Sequence, residues 1–372
     1  MHPYTLLATG DVLLQERFTA HDAGRLIWRS FARADDVFVN VEAALTARRQ
    51  AADKLICVRA DPALATEFAA AHATVATVAN NHTTDYGPEG LFDTMSALGA
   101  AGVACTGGGD DLQAALRPAL RQGRRRVAFF GLASTLPNGA AAGRGRAGLA
   151  PVRVLSSFVV DPVTTDESPG MAPFVTTETF PEDVRAAASA IRAAHRRANV
   201  VVVGIHWGVP EGWMAAFQGQ LATYQRPLAH ALVDAGADVV IGHHPHVLHG
   251  VEVYRGRPIF YSLGNLVFHL LSPQHGGGAL GRPRPPYASW TTLTDEANRL
   301  GAIARLTWAE QSSAPSRIEL WPVWLDDLGN PEYATSSRAK AAIERVASAS
   351  RGFGVRVIPR RLGARMIGVV EV

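Results

Sequence analysis

Short apolar segments alternate with alanine-rich helical segments along most of this chain, and this alternation limits the possible folds more than any other feature. Asn199–Ile205 and Asp238–Ile241 are apolar at nearly every position, which is typical of strands buried on both faces of a sheet. Gly87–Ala101 and Pro181–Arg197 have the length and composition of helices. The alternation predicts an α/β fold.

The pattern fixes where we expect each element. The predicted strands are Tyr4–Ala8, Val37–Val41, Val75–Ala79, Arg126–Gly131, Asn199–Ile205, Asp238–Ile241, Val251–Tyr254, Ile259–Leu263, Ala302–Trp308 and Arg317–Trp324. The predicted helices are Pro62–His72, Gly87–Ala101, Pro181–Arg197 and Gln218–Ala235.

One catalytic domain is predicted over residues 1–330, and residues 331–372 are expected to add a C-terminal helix, 336–350, and a strand, 366–372, to the same domain. Two insertions rich in glycine and proline, 136–181 and 269–292, interrupt the pattern. Long loops in compact domains are usually lids or mobile segments. A disordered surface excursion explains 136–181 equally well, whereas 269–292 follows the candidate site and is expected to be a lid.

Charge and cysteine content limit the partners and the compartment. The formal net charge is only +3, and no basic patch is interleaved with aromatic residues, so we expect no nucleic-acid partner. Two cysteines, Cys57 and Cys105, do not indicate a disulfide framework. No signal sequence and no long apolar run is evident, so we expect a cytoplasmic protein without a membrane partner.

A histidine cluster follows the buried strand that ends at Ile241. His243, His244 and His246 occur within four residues, and neutral imidazole is the commonest metal ligand. If the chain stays extended, His244 and His246 point the same way, because residues two apart share a face. His243 would then diverge, which favours a supporting role over a ligand role.

Four other predicted strands also end in polar side chains that can bind metals. These are Asp11, Asn40 with Glu42, Asn81 and His82 with Asp85, and His206. Singly, each has an ordinary explanation as a turn residue, a helix cap or a buried core histidine. Together they form the mixed oxygen and nitrogen set that holds one or two divalent ions.

These motifs, in this order, carry a family resemblance. Gly10-Asp11, Asn40-Val41-Glu42, the segment 80–87, His206-Trp207-Gly208, the segment 242–246 and Tyr261-Ser262-Leu263-Gly264-Asn265 resemble the signature of the CapA family. That family covers poly-γ-glutamate and capsule synthesis proteins and is similar to the calcineurin-like metallophosphoesterases. The resemblance implies a four-layer αββα sandwich, in which two mixed sheets lie between helices, and a dinuclear metal site.

The resemblance also implies a role for each ligand. Glu42 corresponds to the bridging carboxylate. Asn81, His206 and His244 would complete the shell of one ion, and Asp11 and His246 would hold the other. Leu13 stands where many phosphoesterases have a histidine, which predicts an oxygen-weighted site for Mn²⁺, Mg²⁺ or Ca²⁺, with Zn²⁺ or iron as alternatives.

The remaining site residues concern proton transfer and substrate. His82 is expected to be the catalytic acid or base and Asp85 to fix its tautomer, although Asp85 could instead cap the following helix. Asn40 and His243 are expected to support the ligands. Trp207, Glu211 and Trp213 are expected to border the substrate, with core packing as the alternative for the aromatic residues of that stretch.

A dinuclear site supports more than one reaction. Hydrolysis of a phosphoester or peptide bond is one hypothesis, and a non-enzymatic role in capsule or poly-γ-glutamate assembly is another. The third is epimerisation of a peptide, in which bases exchange the α-proton beside a metal-bound carboxyl group. Because polymer-assembly members are typically exported and anchored, the preferred hypothesis is a peptide epimerase that tailors a ribosomal, lasso-type natural product.

Overall fold

The computed structural model describes residues 3–54, 56–171, 173–208, 220–271, 296–310 and 312–371. The strands in these residues are β1 Tyr4–Leu13, β2 Asp36–Val41, β3 Ala44–Leu45, β4 Arg59–Ala60, β5 Val75–Thr77, β6 Ala104–Thr106, β7 Gly108–Gly109, β8 Ala119–Gln122, β9 Arg126–Ala133, β10 Gly148–Leu149, β11 Val154–Val159, β12 Phe174–Thr179, β13 Val200–His206, β14 Val239–His243, β15 Val251–Tyr254, β16 Arg257–Phe260, β17 Asn265–Phe268, β18 Leu300–Trp308, β19 Arg317–Leu325, β20 Pro331–Tyr333, β21 Arg356–Leu362 and β22 Arg365–Glu371.

The described residues contain nine α-helices. They are α1 Arg25–Phe31, α2 Ala65–Ala70, α3 Gly87–Ala100, α4 Leu112–Ala115, α5 Pro162–Glu167, α6 Pro181–His195, α7 Gln225–Asp234, α8 Glu296–Arg299 and α9 Ser336–Ser350. None of the helices in the described ranges has the length and apolar character needed to cross a membrane.

Two mixed sheets form the centre of the molecule. Within the described residues the larger sheet has ten strands in the order β21-β22-β19-β18-β1-β2-β5-β6, with β17 beside β1 and β20 beside β19. The smaller sheet has six, in the order β15-β16-β14-β13-β9-β8. The strands β1, β2, β5 and β6 run parallel, as do β9, β13, β14 and β16.

Successive side chains of the central strands point to opposite faces of each sheet, so the two sheets and the helices outside them form four layers. Leu6 and Phe38 of the larger sheet pack inward against residues of the smaller sheet such as Val202, and the Phe38 ring stacks on Phe129 with ring centroids 5.5 Å apart. Burying a side chain of this size contributes about 1.5–3 kcal/mol. Leu7, next along β1, faces the opposite way and belongs to a separate core.

Helices cover the outer faces of both sheets. Ile27 of α1 and Leu91 of α3 pack on the larger sheet, and Ile191 of α6 and Leu228 of α7 pack on the smaller one. The predicted fold class, an α/β four-layer sandwich with two mixed sheets, is confirmed.

The C-terminal residues extend the larger sheet. Helix Ser336–Ser350 packs Ile343 and Val346 into the core between the sheets, and β22 pairs with β19. Strand Arg356–Leu362 was not predicted, because most of its side chains are exposed and its sequence contains three arginines and a proline.

The insertion 136–181 is more regular than predicted. Val154–Val159 and Phe174–Thr179 form an antiparallel hairpin with a short helix, α5, between them. Most side chains of this hairpin are exposed or half-buried, and the one buried residue in its two strands is the polar Thr177, so the sequence lacks the apolar alternation that marks a half-buried strand. Residues 272–292 of the second insertion lie outside the described residues, so the predicted lid there stays a prediction.

Candidate metal centre

The predicted ligands lie where strands of both sheets end. Parallel pairing aligns Asp11 with Asn40 in the larger sheet and His206 with His243 in the smaller sheet. Several hydrogen bonds join the sheets here. Among them, the His244 backbone N–H donates to Asp11 Oδ2 at 3.0 Å, and His243 Nε2 donates to the carbonyl oxygen of Thr9 at 3.0 Å. The carboxyl ends of parallel strands therefore meet at one edge, where sites in such sheets are usually found.

One group of candidate ligands surrounds Nε2 of His206. This atom lies 2.7 Å from Asn81 Oδ1, 3.1 Å from His244 Nδ1 and 3.4 Å from Glu42 Oε1. Ligand atoms held about 2.1 Å from a single ion are separated by about 3 Å or slightly more. The four side chains therefore have the spacing of ligands around one cation.

A second group lies on the other side of Glu42. His246 Nδ1 is 3.4 Å from Asp11 Oδ2, and its Nε2 is 3.7 Å from Glu42 Oε1. Ligand atoms of Asp11, Glu42 and His246 all lie within 4.8 Å of one another. The structure thus brings the six predicted ligands together in the two groups that the resemblance implied, although their binding of metal stays a prediction.

Glu42 belongs to both groups and has an unusual environment. Its side chain is fully buried, and neither carboxylate oxygen has a hydrogen-bond partner in the described part of the protein. A buried carboxylate left in this state is strongly unfavourable unless a cation compensates it. The donor set and this carboxylate together fit a pair of divalent ions.

Asp11 is held in place by polar contacts. Asn40 Nδ2 donates to Asp11 Oδ1 at 2.8 Å and also lies 3.3 Å from His206 Nδ1. Asn80 Nδ2 donates in turn to Asn40 Oδ1 at 3.1 Å. Asn40 therefore orients one candidate ligand from each group, which is the supporting position that the sequence predicted for it.

The histidine cluster does not have the extended geometry that the sequence argument assumed. Strand β14 ends at His243, and both His244 and His246 have positive φ angles, 97° and 55°. Non-glycine residues in this region carry about 1–3 kcal/mol of strain each, and such strain concentrates at functional sites. The two rings converge because the chain turns sharply, so the prediction was right about their convergence and wrong about its cause.

Burial favours the uncharged form of three histidines at the centre, His206, His243 and His244. Desolvation lowers the pKa of His206 and of His244 well below the usual 6.5, and the neighbouring histidines lower both further. Desolvation also lowers the pKa of His243, against the opposing effect of Asp11. The rings are therefore in the neutral form that metal binding requires.

His82 and Asp85 form the predicted pair. His82 Nδ1 lies 2.8 Å from Asp85 Oδ2, and because a carboxylate accepts, the Nδ1 hydrogen is donated and the Nε2 edge is left for proton transfer. The alternative in which Asp85 caps α3 is wrong. The N-cap residue of that helix is Tyr86, and Asp85 Oδ2 instead accepts the Val58 N–H at 2.6 Å.

Lys54 is a third member of the group formed by His82 and Asp85, and sequence reasoning missed it. Its ammonium group donates to Asp85 Oδ1 and to the carbonyl oxygen of Asn81, a predicted ligand residue. Lys54 lies in an irregular loop with no motif around it, so only the three-dimensional contact identifies it. Asn80 was also not singled out, although its Oδ1 accepts the backbone N–H groups of His82 and Thr83.

Trp207 does not border the site. Its indole is fully buried, donates from Nε1 to the carbonyl oxygen of Tyr261 at 3.0 Å and stacks on the Tyr261 ring. Side chains alternate along an extended chain, so Trp207 lies in the core under the outer helices while His206 faces the other way. The prediction that it borders the substrate was wrong. Glu211 and Trp213 lie outside the described residues.

Other side chains near the site have structural roles. Asn265 Oδ1 lies 2.9 Å from His246 Nδ1 and so orients that ring. His269 accepts the Gln15 N–H at Nδ1 and contacts Asn330 Oδ1 through Nε2. Leu13, which replaces the expected histidine, is buried in the outer core.

A four-layer sandwich with paired carboxylate and imidazole groups at its strand ends defines a class of candidate dinuclear metalloproteins. The chain belongs to the family described as bacterial capsule synthesis protein PGA_cap, whose model matches residues 5–270. A probable polyglutamine synthesis accessory protein of Mycobacterium tuberculosis is 33% identical over 370 residues, covering 95% of this chain and 85% of the relative.

Other relatives share shorter or weaker regions. The capsule biosynthesis protein CapA of Bacillus anthracis is 33% identical over 59% of this chain and 46% of its own length. A solved structure described as a novel phosphatase from Mycoplasma pneumoniae has a TM-score of 0.47 and 12% identity, covering 87% of this chain and 94% of that chain. A similarity at this level does not identify an activity.

Proposed function

We propose that this protein is a metal-dependent hydrolase that acts in the synthesis of a capsule-type glutamate polymer. The observation that carries the proposal is Glu42, a fully buried carboxylate without a hydrogen-bond partner in the described ranges. It is shared by two groups of candidate ligands. A shared, unpaired carboxylate is suited to bridge two cations, and paired cations are typical of enzymes that hydrolyse phosphoester and amide bonds.

The bound ions and the side chains of this chain would have different roles in such a reaction. Two bound ions would supply Lewis acidity and a water molecule activated for attack. His82, whose Nδ1 is held 2.8 Å from Asp85, would pass a proton from Nε2 to the leaving group. Lys54 would hold Asp85 in place through its contact with Oδ1.

A glutamate polymer is the substrate that the family relationship favours. Relatives are named for polyglutamine synthesis and capsule biosynthesis. Next to the His82 and Asp85 pair, a cleft of about 480 Å³ is lined by Arg48, Arg49 and Tyr86 together with Glu89. Arg48 is already paired with Asp93 at 2.9 Å, so a polymer with a carboxylate on every residue would bind this cleft chiefly through Arg49.

Epimerisation, the preferred hypothesis from sequence, has less support. Exchange of an α-proton requires bases on opposite faces of the substrate. His269, which follows the histidine cluster along the chain, is engaged at both ring nitrogens and is not free to act as the second base. The names of the relatives also refer to polymer synthesis and not to peptide tailoring. Hydrolysis is therefore the better-supported reaction.

The test uses the full chain loaded with Mn²⁺ and incubated in D₂O with poly-γ-glutamate or bis-p-nitrophenyl phosphate. Metal-dependent shortening of the polymer, or release of p-nitrophenol, is the expected result, with loss of activity in EDTA and in Glu42→Gln. Deuterium incorporation at α-carbons without cleavage would replace hydrolysis by epimerisation. Neither reaction by a protein with a full complement of metal would contradict the proposal.

A further inference from the structure

A second polar cleft lies at the opposite end of the larger sheet from the candidate metal centre. It has a volume of about 530 Å³ and lies on the outer face of the sheet, beside α1 and the β21–β22 hairpin. Thr5 of β1 lines this cleft, whereas Asp11 lies six residues further along the same strand. At the usual strand rise the two positions are ~20 Å apart.

The sequence places charged side chains on a sheet face where apolar ones are expected. Arg305 and Thr307 occupy alternate positions in β18 and pair with Glu319 and Arg317 of β19. The intervening residues of both strands point into the core between the sheets, so these four side chains share the outer face. Further along the same strands, this outer face is covered by the apolar residues of the outer core.

Positive charge in the cleft exceeds negative charge. Arg33, Arg305, Arg317 and Arg365 line it, and Glu319 is the carboxylate among its lining residues. Glu319 is already engaged, because Oε2 accepts from Arg305 at 2.9 Å and Oε1 accepts from Arg317 at 2.6 Å. Within the described residues no carboxylate forms an ion pair with Arg33 or Arg365.

Aromatic contacts fix the direction of the Arg365 guanidinium group. It lies 4.9 Å from the ring centroid of Trp321 and 4.2 Å from that of Tyr333. Arginine held by aromatic rings loses little further side-chain entropy when it binds a ligand. The group is therefore preorganised at the wall of the cleft.

Two polar groups of the cleft lack partners. Nη1 of Arg365 is buried and makes no hydrogen bond in the described part of the chain. The hydroxyl of Thr307, a residue only 8% exposed, is also buried without a partner there. Buried donors are nearly always satisfied in folded proteins, so two together at one charged cleft indicate a missing acceptor.

We propose that this cleft binds a ligand that carries at least two oxyanion groups, either carboxylates or phosphates. Arg365 and Arg33 would each take one group, because the guanidinium fork matches the oxygen spacing of both oxyanions. Thr307 would donate its hydroxyl hydrogen to the group bound by Arg365. The volume is within the range of small-ligand sites, which is about 300–1,000 Å³. The proposal does not depend on the reaction at the metal centre.

Calorimetric titration of the full chain with triglutamate and with pyrophosphate tests the proposal and separates the two sources of oxyanion. At least one probe should bind, and Arg365→Gln and Arg33→Gln should each weaken that binding about tenfold. Thr307→Val, which keeps the side-chain shape, should weaken it about threefold. Arg196→Gln, which alters an exposed arginine after α6, is the matched control and should bind as the unchanged protein does.

Repeating the titration in EDTA and with Glu42→Gln removes any contribution from the metal centre, and the affinity should be unchanged. If Arg365→Gln fails to fold, Arg33→Gln and Thr307→Val decide the outcome. The proposal is overturned if neither probe binds, if uncharged triglutamine binds equally well, or if the folded cleft variants bind like the Arg196→Gln control.

Discussion

At the scale of single residues, the account depends on the state of Glu42. Most buried carboxylates among the described residues are paired with a cationic side chain, as Asp85 is with Lys54 and Glu67 is with Arg17. Glu42 is fully buried and has histidines on both sides, but it has no hydrogen-bond partner in the described ranges. The metal-free protein therefore holds an uncompensated acid, and the metal-loaded protein does not.

Glu42→Gln should separate metal binding from stability. In EDTA the variant should be more stable than the unchanged protein by about 1–3 kcal/mol, because an amide replaces an uncompensated buried carboxylate. Urea unfolding monitored by circular dichroism measures this difference. A variant that is less stable in EDTA would show that Glu42 stabilises the fold without a metal.

His82→Ala should reduce turnover by about 10²–10⁴-fold, because it removes the group that transfers the proton. The metal content, measured by mass spectrometry of the purified protein, should be unchanged. Lys54→Met should cause a smaller loss, because it alters the group that positions Asp85 and leaves the imidazole intact. Loss of bound metal in His82→Ala would identify His82 as a ligand instead.

The sequence predicts the identity of the site residues better than their geometry. Asp11, Glu42 and His206 could be found because each follows an apolar strand whose end must lie at the sheet edge. The positive φ angle of His244 could not be predicted from sequence, because it depends on how the turn packs against Asp11. Lys54 is a lone lysine in a loop, and only long-range contacts reveal it.

At the scale of elements, the close contact between β1 and the turn before β17 fixes Asp11. Asp11 N–H donates to the carbonyl oxygen of Gly264 at 2.9 Å. A Cβ atom on Gly10 would lie only 2.1 Å from that oxygen, so no larger residue fits without separating the two segments. Gly10 and Gly264, the glycines of the two motifs that meet here, are thus required by the close packing of the backbone as well as by the placement of Asp11.

Gly10→Ala should therefore destabilise the protein by about 2–4 kcal/mol and weaken metal binding, because the backbone next to Asp11 must shift. Gly99→Ala is the matched control, since a Cβ atom there meets no other group within 4 Å. That change lies in α3 and should stabilise the fold by about 0.5–1 kcal/mol. Thermal unfolding of both variants checks the prediction, and equal effects would contradict it.

Elements with a buried apolar side could be predicted from sequence, and elements without one could not. Val251–Tyr254 and Ser336–Ser350 have the predicted bounds, because their apolar residues follow the period of the element that buries them. The hairpin of Val154–Val159 and Phe174–Thr179 buries only the polar Thr177 in its strands and carries no such apolar period. Its pairing is set by contacts between distant segments.

At the scale of the whole molecule, the candidate centre joins the two sheets. Asp11 and Glu42 come from the larger sheet, and His206, His244 and His246 come from the smaller one. Bound ions would therefore hold the two sheets together. Burial lowers the pKa values of His206 and His244, and this makes the junction sensitive to pH.

The metal-free protein should lose stability as the pH falls below about 6.5. His206, His243 and His244 have lowered pKa values when folded, so below this pH the unfolded chain binds protons that the folded protein does not. The free energy of unfolding should fall by up to about 1.4 kcal/mol per pH unit for each histidine, and it should be insensitive to these groups above pH 6.5. Urea unfolding in EDTA from pH 5 to 8 measures the slope, and a flat profile would contradict the assignment.

Anomalous diffraction from crystals grown with Mn²⁺ would show whether Glu42 lies between two cations. Two manganese peaks are expected about 3.5–4 Å apart, one on each side of the Glu42 carboxylate. His206 and His244 should contact one peak, and Asp11 and His246 the other. A single peak, or none within bonding distance of Glu42, would contradict this arrangement.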